Sequence, residues 1–140
     1  MTTGPFVELD HTADLALQVR GSDLNELFCH AAQGMFYLMH CPASHAGAGE
    51  TVPVGVAALD IETLLVDWLS ELLFHSELEG CCLCGFVVNV ARAEEWELEG
   101  TAVAMGGAPP ERVIKAVTFS DLSVNGSAEK GYVTTLTFDV

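Results

Sequence analysis

The chain has 140 residues, half of them apolar, which is enough for one folded domain with its own core. Twenty acidic residues against five basic ones give a formal net charge of −15. Such a surface repels a phosphate backbone, and no cluster of Lys or Arg is present, so direct binding of nucleic acid is not expected.

The first third of the chain predicts two short strands and a helix. Residues 6–9 form the first strand, and residues 14–20 alternate between apolar and polar side chains, as a half-buried strand does. Gly21 then turns the chain. Asp23 and Glu26 have the spacing of a capping box. The helix that follows has apolar residues at helical spacing and should end before Pro42.

The middle of the chain predicts a loop, an edge strand and a second helix. Residues 41–50 are rich in small residues, which predicts the loop. Residues 51–58 are predicted to form a strand, and Pro53 favours a position at the edge of a sheet. Asp60 is a suitable N-cap, and Gly80 a suitable C-terminal stop. Between them the apolar residues face the core, while the opposite stripe of the helix carries Asp67, Glu71 and His75.

The last third predicts strands at residues 82–92, 95–105, 111–119 and 131–139. The breaks between them fall at Gly106-Gly107, Pro109-Pro110 and Asn125-Gly126. Strands outnumber helices and are mostly consecutive. The predicted class is therefore α+β, one domain over residues 1–140, with mostly antiparallel sheets and two α-helices packed on them.

Several classes of protein are not expected. The first residues lack the pattern of a secretory signal, and no apolar stretch approaches the ~20 residues that span a bilayer, so we expect a cytoplasmic protein without membrane contact. The five cysteines are then expected to be thiols. Cys81, Cys82 and Cys84 contain one C-x-x-C, but the second pair of a zinc site is missing. Neither a nucleophile elbow nor a phosphate-binding loop is present.

Two carboxylates at predicted strand ends form a different kind of candidate. Asp14 begins the second strand, after His11 and two small residues, and Asp139 is followed only by Val140. The alternation of the last strand puts Asp139 on the face opposite to Leu136 and Phe138. If the two strand ends meet, two side chains and the α-carboxylate of Val140 supply three hard oxygen donors, which suit Ca²⁺ or Mg²⁺. The alternative is that both aspartates are ordinary solvated turn residues.

Four separate segments resemble one family, the archeases, in the same order along nearly the whole chain. The segments are HTADLALQVRGSDLNELFCHAAQGMFYLM (11–39), LDIETLLVDWLSELLF (59–74), VIKAVTFSDLSV (113–124) and LTFDV (136–140). The chain departs from many archeases at Ser120, where they have a His.

The resemblance implies a fold and a function. Archeases have two packed sheets with two helices and are accessory proteins, not enzymes, of the RtcB-type tRNA-splicing RNA ligase. They promote guanylylation of the ligase by GTP with a divalent metal and allow multiple turnover. By matching positions, Asp14, Asp139 and Val140 would bind the metal, Ca²⁺ or Mg²⁺, while Glu71 and Lys115 would serve in ligase activation. His11 lies in the matched motif as a ligand or as a turn residue.

Two other functions use the same features. A free-standing metal-dependent hydrolase could use the same carboxylates, although no general base or nucleophile is evident. A general chaperone-like binding module is compatible with the acidic surface. The expected partner remains the ligase protein itself, because an acidic accessory protein should contact the enzyme and not its RNA.

Overall fold

The computed structural model describes residues 4–9, 14–42, 49–107 and 109–140. These residues form helices and strands in a mixed order, numbered here along the chain. The elements are β1 Phe6–Leu9, β2 Leu15–Gly21, α1 Leu24–Leu38, β3 Glu50–Ala58, α2 Ile61–Glu79, β4 Cys82–Arg92, β5 Trp96–Met105, β6 Ala116–Thr118, β7 Asn125–Ser127 and β8 Gly131–Asp139.

The strands form two sheets, and each strand pair in the described residues is antiparallel. The first sheet has five strands in the order β1-β2-β8-β6, with β7 also paired to β8. The second sheet has the order β3-β5-β4, so β3 is an edge strand, as Pro53 predicted. The predicted α+β class, with two antiparallel sheets and two helices, is confirmed.

Both helices begin and end where their capping residues predicted. The Asp23 carboxylate accepts a hydrogen bond from the Glu26 amide at 2.7 Å, and Glu26 in turn accepts one from the Ser22 amide at 2.9 Å. This second hydrogen bond lowers the pKa of the Glu26 carboxyl. The Asp60 carboxylate caps α2 in the same way, and Gly80 ends that helix in the left-handed region at φ 66°.

The two helices share one hydrophobic core with the sheets. α1 contacts β2 of the five-stranded sheet and β4 of the three-stranded sheet, while α2 contacts β3, β5 and β6. At the centre of this core the buried Trp68 indole on α2 donates a hydrogen bond to the carbonyl oxygen of Phe28 on α1 at 3.1 Å. That bond satisfies the one polar group of a large core side chain and joins the two helices.

Two predicted features of the last third are wrong. The strand predicted at residues 111–119 is confined to β6, because the amides of Glu111 and Arg112 both donate to the carbonyl oxygen of Met39 at 3.1 Å. These bonds attach residues 111–112 to the end of α1 and not to a sheet. The break predicted at Asn125-Gly126 is instead the short strand β7, which pairs with the beginning of β8.

The expectation of five thiols is also wrong for two cysteines. Cys41 and Cys82 form a disulfide, with their Cα atoms 5.9 Å apart. The chain turns at the end of α1, and the Cys41 amide donates to the carbonyl oxygen of Phe36, which brings Cys41 to the beginning of β4. Their separation of 41 positions matches no cysteine spacing motif. Cys29, Cys81 and Cys84 are free thiols, as predicted.

Candidate functional site

The ends of β2 and β8 meet at one edge of the five-stranded sheet. In the register of this antiparallel pair, Leu15 lies opposite Phe138. Asp14 directly precedes Leu15, and Asp139 directly follows Phe138 as the last residue of β8. The condition on which the predicted oxygen cluster depended, that these strand ends meet, is therefore fulfilled.

The orientation of β8 agrees with the alternation in its sequence. Leu136 and Phe138 are completely buried in the core, whereas Asp139 is exposed. Asp14 is half-buried just before β2. Val140, which directly follows Asp139, is exposed. The carboxylates thus lie at the rim of the sheet, where a cation can reach them from solvent.

Lys115 borders Asp139 on the other side of β8. Its backbone amide donates to the carbonyl oxygen of Asp139 at 2.8 Å, and the next residue, Ala116, pairs with Asp139. The Lys115 side chain is exposed. The ends of β2, β8 and β6 are therefore neighbours, and Asp14, Asp139 with Val140, and Lys115 lie at or next to these ends.

Glu71 lies on α2 and is half-buried. Asp67, Glu71 and His75, the stripe opposite to the core-facing residues, are all half-buried, whereas Trp68 and Leu72 on the core side are completely buried. The exposed positions in this part of α2 are instead Ser70, Phe74, Glu77 and Leu78, among others. Ser70, which precedes Glu71, lines a groove together with Lys115. His11 lies outside the described residues.

The donor set fits a hard divalent cation. Asp14, Asp139 and the α-carboxylate of Val140 would supply negatively charged oxygens, which Ca²⁺ and Mg²⁺ prefer. Within the part of the chain that the structure describes, no three His, Cys, Asp or Glu side chains are grouped as a metal site of that composition would require. The predicted set differs from such a group because its third donor belongs to the backbone. The three cysteines at residues 81, 82 and 84 are buried, and one of them is already in the disulfide.

One feature beside the site was missed by the sequence analysis. Phe74 and Val113 are 57% and 69% exposed, and both line the groove that contains Lys115. A signal was present in the sequence, because Phe74 and Leu78 are four residues apart on α2 and lie outside the stripe of residues that faces the core. The exposure of Val113 was not predicted, because residues 111–119 were expected to form one strand.

Comparison with known proteins establishes the family. The model of the Archease protein family matches residues 6–140. The chain belongs to this family. Protein archease of Methanosarcina acetivorans is 38% identical over 128 residues, which cover 86% of each chain. Protein archease of Archaeoglobus fulgidus is 32% identical over 136 residues, covering 94% of this chain and 96% of the relative.

A solved archease-like structure has the same architecture. The solution structure of Protein 1598 of Methanobacterium thermoautotrophicum matches with a TM-score of 0.81 at 30% identity, covering 97% of this chain and 99% of that one. Archeases are an accessory family and not a family of catalytic enzymes, in agreement with the expectation for this chain. None of the helices in the described residues of this archease-family chain is long and apolar enough to cross a membrane.

Proposed function

We propose that this archease-family protein activates an RtcB-type tRNA-splicing RNA ligase. It promotes guanylylation of the ligase by GTP with a divalent metal and lets the ligase turn over repeatedly in tRNA splicing or RNA repair. The observation that supports this proposal is the β2–β8 register, because the strand ends next to Asp14 and Asp139 are neighbours and Lys115 is hydrogen-bonded to Asp139. These residues, far apart in the sequence, are among those that the resemblance assigned to the metal and to activation.

Charge supports a protein partner over an RNA partner. The formal net charge of −15 opposes contact with a phosphate backbone and favours a basic surface on the ligase. We therefore propose that this protein does not contact RNA directly. We also propose that it acts in the cytoplasm, where the ligase meets its RNA substrate.

A turnover assay tests the proposal and separates it from the two alternatives. The ligase is mixed with GTP, Mg²⁺ and a cleaved tRNA, and the protein is added below the ligase concentration. We expect several ligated products per ligase molecule and faster labelling of the ligase by GTP. A hydrolase would release phosphate without the ligase, and a chaperone-like module would act only in stoichiometric amounts. Absence of any stimulation would contradict the proposal.

Lys115 and Glu71 are expected to matter for activation and not for folding. We expect Lys115→Ala and Glu71→Gln to reduce stimulation of the ligase by about tenfold, within the usual range of coupling between two binding partners. Lys115 is exposed, so its loss should change the free energy of unfolding by less than about 0.5 kcal/mol. The measurements are ligase guanylylation rate and thermal melting.

Lys130 supplies the matched control for Lys115. It is the other lysine of the chain, it is exposed, and it lies in the turn before β8, at the far end of that strand from Asp139. Lys130→Ala should leave stimulation unchanged. A loss of stimulation equal to that of Lys115→Ala would assign the effect to overall charge, and an unimpaired Lys115→Ala variant would remove the proposed role.

A further inference from the structure

An apolar groove lies between the second half of α2 and the segment that leads into β6. It encloses about 600 Å³, and its walls include Leu73, Phe74, Pro109, Pro110, Val113 and Ile114. Three large apolar side chains are exposed in and beside it, with Phe74 at 57%, Leu78 at 65% and Val113 at 69%. Uncovered apolar side chains grouped in one place are typical of a surface that binds another protein.

The charges around the groove indicate the chemistry of its occupant. The last turn of α2, beside the groove, carries the exposed Glu77 and Glu79, and the helix has no Lys or Arg. Glu77 itself lines the groove, and Lys115 is the basic residue on the opposite wall. A segment with positive charge and a large apolar side chain complements such a wall. A second copy of this chain does not, because it would place one acidic helix against another.

The groove is continuous with the candidate metal centre. Lys115 lines it, and the amide of Lys115 donates to the carbonyl oxygen of Asp139 at 2.8 Å. An occupant of the groove therefore lies beside the residues that bind the metal and activate the ligase in the proposed function. The surface around Val87 on β4 is lined by other residues, which include neither Lys115 nor Asp139.

We propose that this groove binds a basic segment of the ligase protein and buries one of its large apolar side chains against Phe74 and Val113. This inference rests on the proposed function, since the ligase is the named partner. It adds to that function a docking surface whose exposed apolar residues, Phe74 and Val113, neither bind the metal nor belong to the activation pair. The binding is partly electrostatic, so its affinity should fall as the salt concentration rises.

A matched pair of valines tests the groove. Val113 and Val87 are 69% and 66% exposed, so Val113→Asp and Val87→Asp remove the same side chain and add the same charge at two different surfaces. We expect Val113→Asp to weaken binding of the purified ligase by about 30-fold or more, as the loss of an interface hot spot does. Val87→Asp should bind as the unaltered chain does. Affinity is measured by calorimetric titration of the ligase.

A second pair tests the charge of the occupant. Glu77 in the groove and Glu99 on β5 are both exposed, so Glu77→Lys should weaken binding of the ligase and Glu99→Lys should not. Thermal melting and titration of Ca²⁺ are run on all four variants. Unchanged melting and Ca²⁺ affinity in Val113→Asp assign its defect to docking and not to the fold or the metal centre.

The outcomes separate this inference from the function on which it rests. If the unaltered chain stimulates the ligase and Val113→Asp binds the ligase as well as Val87→Asp does, the groove is not the docking surface, but the proposed function is supported. If the unaltered chain neither binds nor stimulates the ligase, both proposals are overturned. If the unaltered chain is a dimer that Val113→Asp dissociates, a second copy occupies the groove and the inference is wrong.

Discussion

A short extension after Val140 is expected to weaken binding of Ca²⁺ and Mg²⁺ by at least about tenfold. The extension converts the α-carboxylate of Val140 into a neutral amide beside Asp139. The attraction between unit charges at about 4 Å near a protein surface is of order 4 kcal/mol, and tenfold in affinity requires only about 1.4 kcal/mol. An equal extension before Met1 should leave the affinity unchanged. Calorimetric titration of both ions measures the effect.

The side-chain ligands are tested in the same titration. Asp14→Asn and Asp139→Asn should reproduce the loss of affinity and also lower stimulation of the ligase. Asp121→Asn is the matched control, because Asp121 is an exposed aspartate beyond the other end of β6. Its backbone is left-handed at φ 53°, a conformation that Asn tolerates well. Equal affinity in the extended and unextended proteins would exclude the terminal carboxylate as a ligand and leave the two aspartates to be judged by their own variants.

Breaking the Cys41–Cys82 disulfide is expected to lower the free energy of unfolding by about 4 kcal/mol. The bond closes a loop of 41 positions, and the chain-entropy estimate for a loop of that length gives this value. In a domain of this size, the melting temperature should fall by of order 10 °C. The measurement is thermal melting with and without reductant, compared with the Cys41→Ser/Cys82→Ser double variant.

The double variant is the internal control for the disulfide. It should melt at the temperature of the reduced protein and should not respond to reductant. Alkylation of the unfolded protein should label three thiols before reduction and five after it. Burial raises the pKa of the Cys29 and Cys81 thiols, so these should react slowly while the protein is folded. Labelling of five thiols without reductant would contradict the disulfide.

The sequence predicted the local structure well because local interactions decide it. Asp23, Asp60 and Gly80 mark helix ends through hydrogen bonds within a few residues, and Pro53 marks an edge through its missing N–H. Residues 111–115 have the composition of a strand. However, residues 111–112 donate two hydrogen bonds to Met39, which lies before β3, α2, β4 and β5 in the chain. No local pattern carries that information.

The candidate site divides in the same way. Alternation along β8 was sufficient to predict that Asp139 faces away from the core. The meeting of Asp139 with Asp14 depends on the pairing of β2 with β8, and the resemblance to archeases was needed to connect them. The half-burial of Glu71 was not predicted because helical spacing gives the direction of a side chain but not what covers it.

The position of β8 between β2 and β6 has a kinetic consequence. The three strands of the second sheet lie within residues 50–105 of the sequence. In contrast, Leu15 pairs with Phe138, which is nearly the whole chain away. Contacts between residues far apart in sequence require closure of a long loop and form slowly. We therefore expect the second sheet and its helices to form early and the β2–β8 pairing late. The carboxylates at the end of that pairing come together last, so a cation that binds them should bind the finished fold and not its precursors.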